Sequence, residues 1–181
     1  YSIFVFRLLK LYDGAKYSHR WRKINYLELI KMKLKDEFWA FIPARSGSKK
    51  IKNKNIKKLN NIPLLAYSII AAKKNSYIKK TIFSSDNSNY AKIGKKYGKF
   101  WFHKRKKNIS LDNSNDLEMF KDFIKYYISK NYHLPKYFVH LRPTTPIRSN
   151  ETIHKAIKYF KKNSKKYSSL RSVSEMSETA Y

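Results

Sequence analysis

The 181-residue chain suits one domain with a sizeable core and is short for two. It has no cysteine, which excludes a disulfide framework, a thiol nucleophile and a cysteine-ligated zinc site. Lys and Arg number 41 against 12 Asp and Glu, and the resulting net charge of +29 favours polyanionic partners such as nucleic acid.

Residues 1–37 fit poorly with the rest of the chain and are interpreted as an N-terminal extension. Their opening apolar run is broken by basic residues and is too short to span a membrane. It also lacks the small-residue cleavage site of a secretory signal. No membrane partner is therefore expected.

An apolar run at Trp39–Ile42 predicts a buried strand that a proline ends, and a basic loop of small residues comes next. Such a loop exposes backbone N–H groups, and Gly47 allows a ligand to approach the backbone closely. The Arg45 guanidinium and the mobile ammonium groups of Lys49 and Lys54 suit phosphate oxygens. Because no Walker or Rossmann glycine pattern is present, residue chemistry alone leaves a solvated basic loop as an equal alternative.

Strands and helices alternate over the rest of the chain, which predicts an α/β fold, a mainly parallel sheet with helices on both faces. In such sheets ligands bind beyond the carboxyl ends of the strands, where each polar motif of this chain falls. Further strands are predicted at residues 80–84, 100–102, 137–141 and 168–173, and residues 103–115 are predicted to be a loop. Helices are predicted at residues 63–75 with Pro63 in the first turn, from about 88 with Gly98 as the stop, at 116–130, and at 151–162 with Asn150 as the N-cap.

The string from Ile42 to Leu59, I-P-A-R-x-G-S-K-x-I-x-x-K-N-I-x-x-L, is followed by I-P-L-L-A-Y-S-I. Together they resemble the opening of the acylneuraminate cytidylyltransferases. This family comprises CMP-N-acetylneuraminic acid synthetases and relatives that activate legionaminic and pseudaminic acids. The resemblance implies a Rossmann-like nucleotide-diphospho-sugar transferase fold, of the glycosyltransferase-A-like kind.

The same resemblance implies a cytoplasmic nucleotidyltransferase. Such an enzyme transfers CMP from CTP to an acylneuraminate-like nonulosonic acid and releases pyrophosphate. Residues 38–181 would form a nucleotidyltransferase domain that is incomplete at its C-terminus. Met32 stands where the first residue of the family would fall, which leaves residues 1–31 as upstream read-through or the tail of another module.

The resemblance also implies roles for particular residues. Lys54 and Arg45 would be catalytic, with Lys54 stabilising charge at the α-phosphate. The implied nucleotide-binding residues are Arg45, Ser46, Gly47, Ser48, Lys49, Lys54, Asn55, Ser84 and Asp86. The implied substrate-binding residues are Arg105, Arg142, Thr144, Thr145 and Arg148.

Two of these positions have competing interpretations. Asp86 belongs to a Ser-Ser-Asp run that resembles the family's Ser-Thr-Asp, but it also suits the N-cap of the next helix. Arg142 replaces the family's usual Gln in the segment Leu141–Arg148. An Arg there could bind the carboxylate of the sugar, or it could indicate a different sugar.

The implied cofactor is Mg²⁺, whose Asp-x-Asp ligand pair is expected in a C-terminal part beyond this chain, with no metal ligand here. Weak CTP binding and little turnover are therefore expected of these residues, and a homodimer of the full-length enzyme. Two rival functions stay open. One is another sugar nucleotidyltransferase, of the CMP-Kdo type, and the other is a non-catalytic basic module that binds nucleic acid. Nonspecific nucleic-acid contact is expected in either case, because the lysines are spread over the whole length.

Overall fold

The computed structural model describes residues 3–8, 34–48, 51–106, 109–110, 116–130 and 132–173. The strands in these ranges form two sheets. Six of them form the main sheet, and β3 and β4 form a short ribbon. The strands are β1 (Ile3–Arg7), β2 (Lys35–Pro43), β3 (Lys58–Leu59), β4 (Ile62–Pro63), β5 (Ile78–Ser85), β6 (Trp101–Lys104), β7 (Pro135–Leu141) and β8 (Ser169–Arg171).

Four α-helices and one 3₁₀ turn at Lys54–Ile56 connect the strands of this described part. The helices are α1 (Leu64–Lys74), α2 (Ser88–Lys95), α3 (Asp116–Ser129) and α4 (Asn150–Asn163). None of them combines the length and apolar character needed to cross a membrane.

The main sheet has the strand order β6-β5-β2-β7-β1-β8. β2 lies at its centre and pairs in parallel with β5 and β7, and β5 pairs in parallel with β6. Only β1, among the described strands of this sheet, runs against its neighbours β7 and β8. The predicted mainly parallel sheet is thus confirmed, with the parallel strands ending at one common edge.

Alternate residues of β2 enter two separate hydrophobic cores, because successive side chains of a strand point to opposite faces. Phe38, Ala40 and Ile42 pack into the core formed with α1, α2 and α4. Trp39 and Phe41 pack into an aromatic core formed with α3. Helices therefore cover both faces, as predicted, and the continuous apolar run of β2 is explained by burial on both sides.

The N-terminal strand β1 is a part of the sheet that the sequence did not predict. Val5 lies opposite Val139 of β7 and Leu170 of β8, and it is fully buried. The sequence interpretation set residues 1–37 apart, whereas β1 and the first residues of β2 lie within the sheet. A start at Met32 stays a prediction, because Met32 lies outside the described residues.

Several predicted element ends were wrong. Ser149, not Asn150, caps α4 by accepting a hydrogen bond from the Thr152 nitrogen at 3.0 Å. Helix α2 ends at Lys95, and Gly98 does not have the positive φ of a helix stop. A Cβ at Gly98 would lie 2.9 Å from the Ile69 Cγ2 atom, so close packing explains this glycine.

The start of α1 and the end of β6 also differ from the prediction, but by fewer residues. Pro63 precedes the first turn of α1 as its N-cap and also pairs in β4. Strand β6 extends to Lys104, so His103 belongs to a strand although the sequence assigned it to a loop. His103 is thereby held in the sheet beside Ser84 of β5.

Candidate functional site

A pocket of about 270 Å³ lies at the carboxyl ends of β2 and β7. The described residues that line it bring four cationic side chains and one carboxylate to a single cavity, which suits a polyanionic ligand. They are Pro43, Arg45, Ser48, Lys54, Asn55, Arg105, Asp116, Met119, Arg142, Pro143 and Thr144.

Asp86 holds the loop after β2 in place. Its carboxylate accepts hydrogen bonds from the Ser46 backbone nitrogen at 2.8 Å and from the Ser46 hydroxyl at 2.6 Å. The N-cap of α2 is Asn87, which accepts from the Asn89 nitrogen, so the capping interpretation of Asp86 was wrong. Asp86 therefore acts on the pocket through the loop that it holds.

The dipeptide Lys54-Asn55 lies in the 3₁₀ turn, and Asn55 ties that turn to the loop. The Asn55 side chain is buried and donates a 2.8 Å hydrogen bond to the Arg45 carbonyl. On the other side, Asn53 has a left-handed backbone with φ of 56° and accepts from the Tyr90 hydroxyl at 3.1 Å. Lys54 thus projects from a turn that is fixed at both ends.

Arg105 reaches the pocket although it is only 7% exposed. Its Nη2 donates to the Ser84 carbonyl at 3.3 Å and to the Met119 sulfur at 2.9 Å. Its Nε donates to the Ser84 hydroxyl at 3.4 Å. Burial lowers the pKa of Arg105, and the nearby carboxylates of Asp86 and Asp116 partly offset this effect. A guanidinium nevertheless stays charged in proteins at neutral pH.

Elsewhere in the pocket wall, Arg142 forms an ion pair with Asp116. Nδ1 of the buried His140 lies 3.9 Å from the same carboxylate oxygen. Burial lowers the pKa of His140 to about 4, so this imidazole is neutral at pH 7. The charge of Asp116 is therefore balanced by Arg142 and not by His140.

Arg148 supports the wall from behind. It is 9% exposed, and its Nη2 donates to the Arg142 carbonyl at 2.6 Å while its Nη1 donates to the Ser68 hydroxyl at 3.3 Å. The Thr145 nitrogen donates to the same carbonyl at 3.3 Å. Burial lowers the pKa of Arg148 to about 10, which leaves it charged at neutral pH.

The pocket thus collects some of the predicted site residues and not others. Those that line it are Arg45, Ser48, Lys54, Asn55, Arg105, Arg142 and Thr144. Those that lie behind or beside it are Ser46, Gly47, Ser84, Asp86, Thr145 and Arg148. Lys49 lies outside the described residues. A Cβ at Gly47 would meet nothing within 4 Å, so no described protein atom requires a glycine there.

Asp116 and Met119 were missed from the sequence. Both stand in the first turns of α3, which the sequence showed only as an amphipathic helix. The sole signal was Asp116 at the start of a helix. An acidic residue there usually has the simpler role of stabilising the helix through its dipole. Nothing in the sequence indicates that α3 begins at the rim of a pocket.

The residues of the described ranges do not fit a resident divalent metal. No group of three or more His, Asp or Glu side chains comes together there. Asp116 is paired with Arg142, and Asp86 is bonded twice to Ser46. Since Mg²⁺ needs carboxylate or water oxygens in near-octahedral geometry, these carboxylates do not form a site for it.

Comparison with protein-family models matches residues 39–181 to the family described as Cytidylyltransferase. Among curated proteins, the chain is 36% identical over 129 residues to the post-translational flagellin modification protein B of Campylobacter coli, covering 70% of this chain and 54% of that protein. It is 36% identical over 121 residues to the N-acylneuraminate cytidylyltransferase of Escherichia coli, covering 67% and 27%.

A third curated relative is the CMP-N,N'-diacetyllegionaminic acid synthase of Campylobacter jejuni, 38% identical over 86 residues, covering 48% of this chain and 37% of that protein. The chain therefore spans about half, or less, of the length of these relatives.

Solved structures share the fold. One is CMP:2-keto-3-deoxy-manno-octonic acid synthetase in complex with CTP, with a TM-score of 0.54 and 12% identity over 71% of this chain and 48% of that one. Another is a cytidylyltransferase from Leptospira borgpetersenii, with a TM-score of 0.52 and 17% identity over 70% and 50%. The nucleotide-sugar transferase fold implied by the sequence is confirmed by these neighbours.

Proposed function

Because this chain belongs to the cytidylyltransferase family, we propose that its pocket binds CTP and that the chain forms the nucleotide-binding part of a CMP-nonulosonate synthetase. The observation that carries the proposal is the convergence of four cationic side chains at the carboxyl ends of parallel strands. The triphosphate of CTP carries the negative charge that such a group of cations binds.

In the proposed reaction, a hydroxyl oxygen of the acceptor sugar attacks the α-phosphorus of CTP. The bond from this phosphorus to the bridging oxygen of the β-phosphate breaks, pyrophosphate leaves, and the hydroxyl proton passes to solvent. Lys54 and Arg45 would stabilise the charge that develops on the phosphate oxygens. The fixed loop and 3₁₀ turn would keep these cations in place before CTP arrives, which reduces the cost of reorganisation.

We propose a nonulosonic acid as the acceptor. Support comes from the relatives, whose names specify N-acylneuraminate and N,N'-diacetyllegionaminic acid. The likeness to the 2-keto-3-deoxy-manno-octonic acid enzyme, at 12% identity, concerns the fold alone. Arg142 is available to a sugar carboxylate if that carboxylate replaces Asp116 as its partner.

Three further expectations stay predictions: Mg²⁺ as the cofactor, a homodimer of the full-length enzyme and a cytoplasmic location.

CTP binding to this chain, measured by calorimetry, tests the proposal. Lys54→Ala should weaken CTP binding by about tenfold to a hundredfold, the usual cost of removing a charged hydrogen-bond donor. Lys57→Ala is the matched control, because Lys57 is an exposed lysine three positions away that does not line the pocket. It should change the affinity less than about twofold.

Two results would contradict the proposal. One is the absence of CTP binding by the parent chain, and the other is an equal effect of the two lysine substitutions. The acceptor is tested separately on the full-length protein, because little turnover is expected of these residues alone. The assay measures pyrophosphate release from CTP and Mg²⁺ with a panel of nonulosonic acids and with 2-keto-3-deoxy-manno-octonic acid. Release with the octonic acid alone would refute a nonulosonate acceptor.

A further inference from the structure

A row of hydrogen-bonded polar side chains runs from Arg105 at the pocket, along the edge of the aromatic core, to Asp122 of α3. The Ser84 hydroxyl lies 3.0 Å from Nδ1 of His103, and Nε2 of His103 lies 3.1 Å from Oδ2 of Asp122. Ser84 and His103 are buried, and the ring of Phe123 lies 5.5 Å from the imidazole. At the pocket end, Ser84 contacts Arg105 through both its hydroxyl and its carbonyl.

The direction of the hydrogen bonds in this row follows from what each group can donate. The guanidinium of Arg105 has only donors, so its Nε–H must be donated to the Ser84 oxygen. Because the carboxylate of Asp122 only accepts, Nε2 of His103 must carry a proton and donate it to Asp122, which leaves Nδ1 facing the Ser84 hydroxyl. The carboxylate of Asp122 thus selects one tautomer, and that tautomer orients the hydroxyl that holds Arg105.

Asp122 is suited to be the fixed end of the row. The hydrogen bond from His103 lowers the pKa of Asp122, and the neighbouring Lys106 ammonium, 3.6 Å from Oδ1, lowers it further. The carboxylate is therefore ionised at neutral pH and accepts only. Ser84 and His103 are buried beside the aromatic ring of Phe123, where polar side chains cost desolvation that apolar ones would avoid. This cost favours a functional reason for the row.

We propose that His103 and Asp122 are positioning residues, which act through Ser84 to orient the guanidinium of Arg105 toward the phosphates of bound CTP. This inference rests on the proposed function, because it takes CTP as the ligand. Neither residue lines the pocket, and both act through another side chain. The sequence indicated neither of them.

The test measures CTP affinity for Asp122→Asn, whose amide no longer selects one imidazole tautomer. Binding should weaken about tenfold, the lower range for partners that orient a ligating group. Asp36→Asn is the control, because Asp36 is also paired with lysines, at 3.6 and 3.9 Å, but lies at the start of β2 away from the pocket. It should bind CTP as the parent does, and Asp122→Glu should restore most of the affinity.

Two further measurements separate positioning from a merely structural role. In an Arg105→Ala background, adding Asp122→Asn should cause no further loss of CTP affinity, because the residue that it positions is gone. Nitrogen NMR of the imidazole should show His103 protonated at Nε2 in the parent, and a mixture of tautomers in Asp122→Asn.

Each outcome decides between the two proposals. If the parent binds CTP and Asp122→Asn binds equally well, the positioning role is refuted while the proposed function stands. An equal loss with and without Arg105 also refutes it. Protonation of His103 at Nδ1 in the parent refutes it even if the variant does not fold. Failure of the parent to bind CTP overturns both proposals.

Discussion

Asp86 illustrates how single side chains prepare the pocket from outside it. Two hydrogen bonds join its carboxylate to Ser46, one at the backbone nitrogen and one at the hydroxyl. The Lys104 ammonium in turn donates to the Asp86 carbonyl at 2.7 Å. The loop after β2 is therefore attached to the ends of β5 and β6. Its cationic side chains are thus held in place by the sheet.

Substitutions of Asp86 separate the effect of its shape from that of its charge. Asp86→Ala removes both bonds to Ser46 and should lower the free energy of unfolding by about 1–3 kcal/mol and CTP affinity about tenfold. Asp86→Asn can accept from the Ser46 nitrogen and donate to its hydroxyl, so it should stay within about threefold of the parent. Calorimetry and urea unfolding measure both quantities. Equal damage from the two substitutions would show that the charge itself is needed.

His140 makes stability depend on pH. Its pKa is about 4 in the folded chain and near 6.5 when the side chain is exposed, because burial disfavours the imidazolium. Between these values the unfolded chain binds more protons, so the free energy of unfolding falls as pH drops, by up to about 3 kcal/mol. Urea unfolding at pH 7 and pH 4.5 should show this fall.

His140→Leu should remove most of the pH dependence, since a leucine does not titrate. His154→Leu serves as the control, because His154 lies on α4 in contact with Tyr77 and is not among the buried residues. It should keep the slope of the parent. A parent-like slope in His140→Leu would place the dependence on other groups.

At the scale of elements, the sequence was most informative where partners are close in the chain. The strand at Trp39–Ile42, the amphipathic α3 and the cationic loop all follow from local patterns. His103 and Asp122 were not predicted, because they meet only when β6 packs beside β5 under α3. Their chemistry depends on a distance that no local pattern encodes.

Strand β1 was overlooked for the same reason. Its short apolar run is broken by Arg7, which resembles an unstructured leader when its neighbours are unknown. In the fold, Arg7 pairs opposite Tyr137, and its Nη1 donates to the Ser164 carbonyl at 2.9 Å. A charged residue at the end of a buried strand is accommodated by a carbonyl far along the chain.

Phe6→Ala tests whether β1 contributes to the stability of the fold. Phe6 is 2% exposed, with its ring 5.0 Å from Phe120 and 5.7 Å from Phe138. Its truncation should lower the free energy of unfolding by about 3–5 kcal/mol. Tyr159→Ala is the control, because this ring is 55% exposed and should cost less than about 0.5 kcal/mol. Equal urea midpoints for the two variants would mean that β1 is not packed as described.

At the scale of the whole molecule, binding through the net charge of +29 and binding in the pocket should depend differently on salt concentration. Binding to a random oligonucleotide should weaken about a hundredfold or more between 50 and 200 mM salt, because several counterions are released. CTP affinity should fall less than about tenfold, since one small ligand displaces few ions. Fluorescence anisotropy and calorimetry give the two slopes. Tight oligonucleotide binding at 200 mM salt with sequence preference would favour the nucleic-acid function instead.

The position of β1 has a consequence for synthesis on the ribosome. Translation completes Ile3–Arg7 first, but both of its pairing partners, Pro135–Leu141 and Ser169–Arg171, are made only after β2, β5 and β6. At about 5–20 residues per second, the apolar strand waits on the order of ten seconds for the chain that covers it. During that interval the backbone N–H and C=O groups of β1 have no partner strand, and such segments are prone to aggregation. Co-translational chaperones are thus expected to bind the nascent chain at this strand.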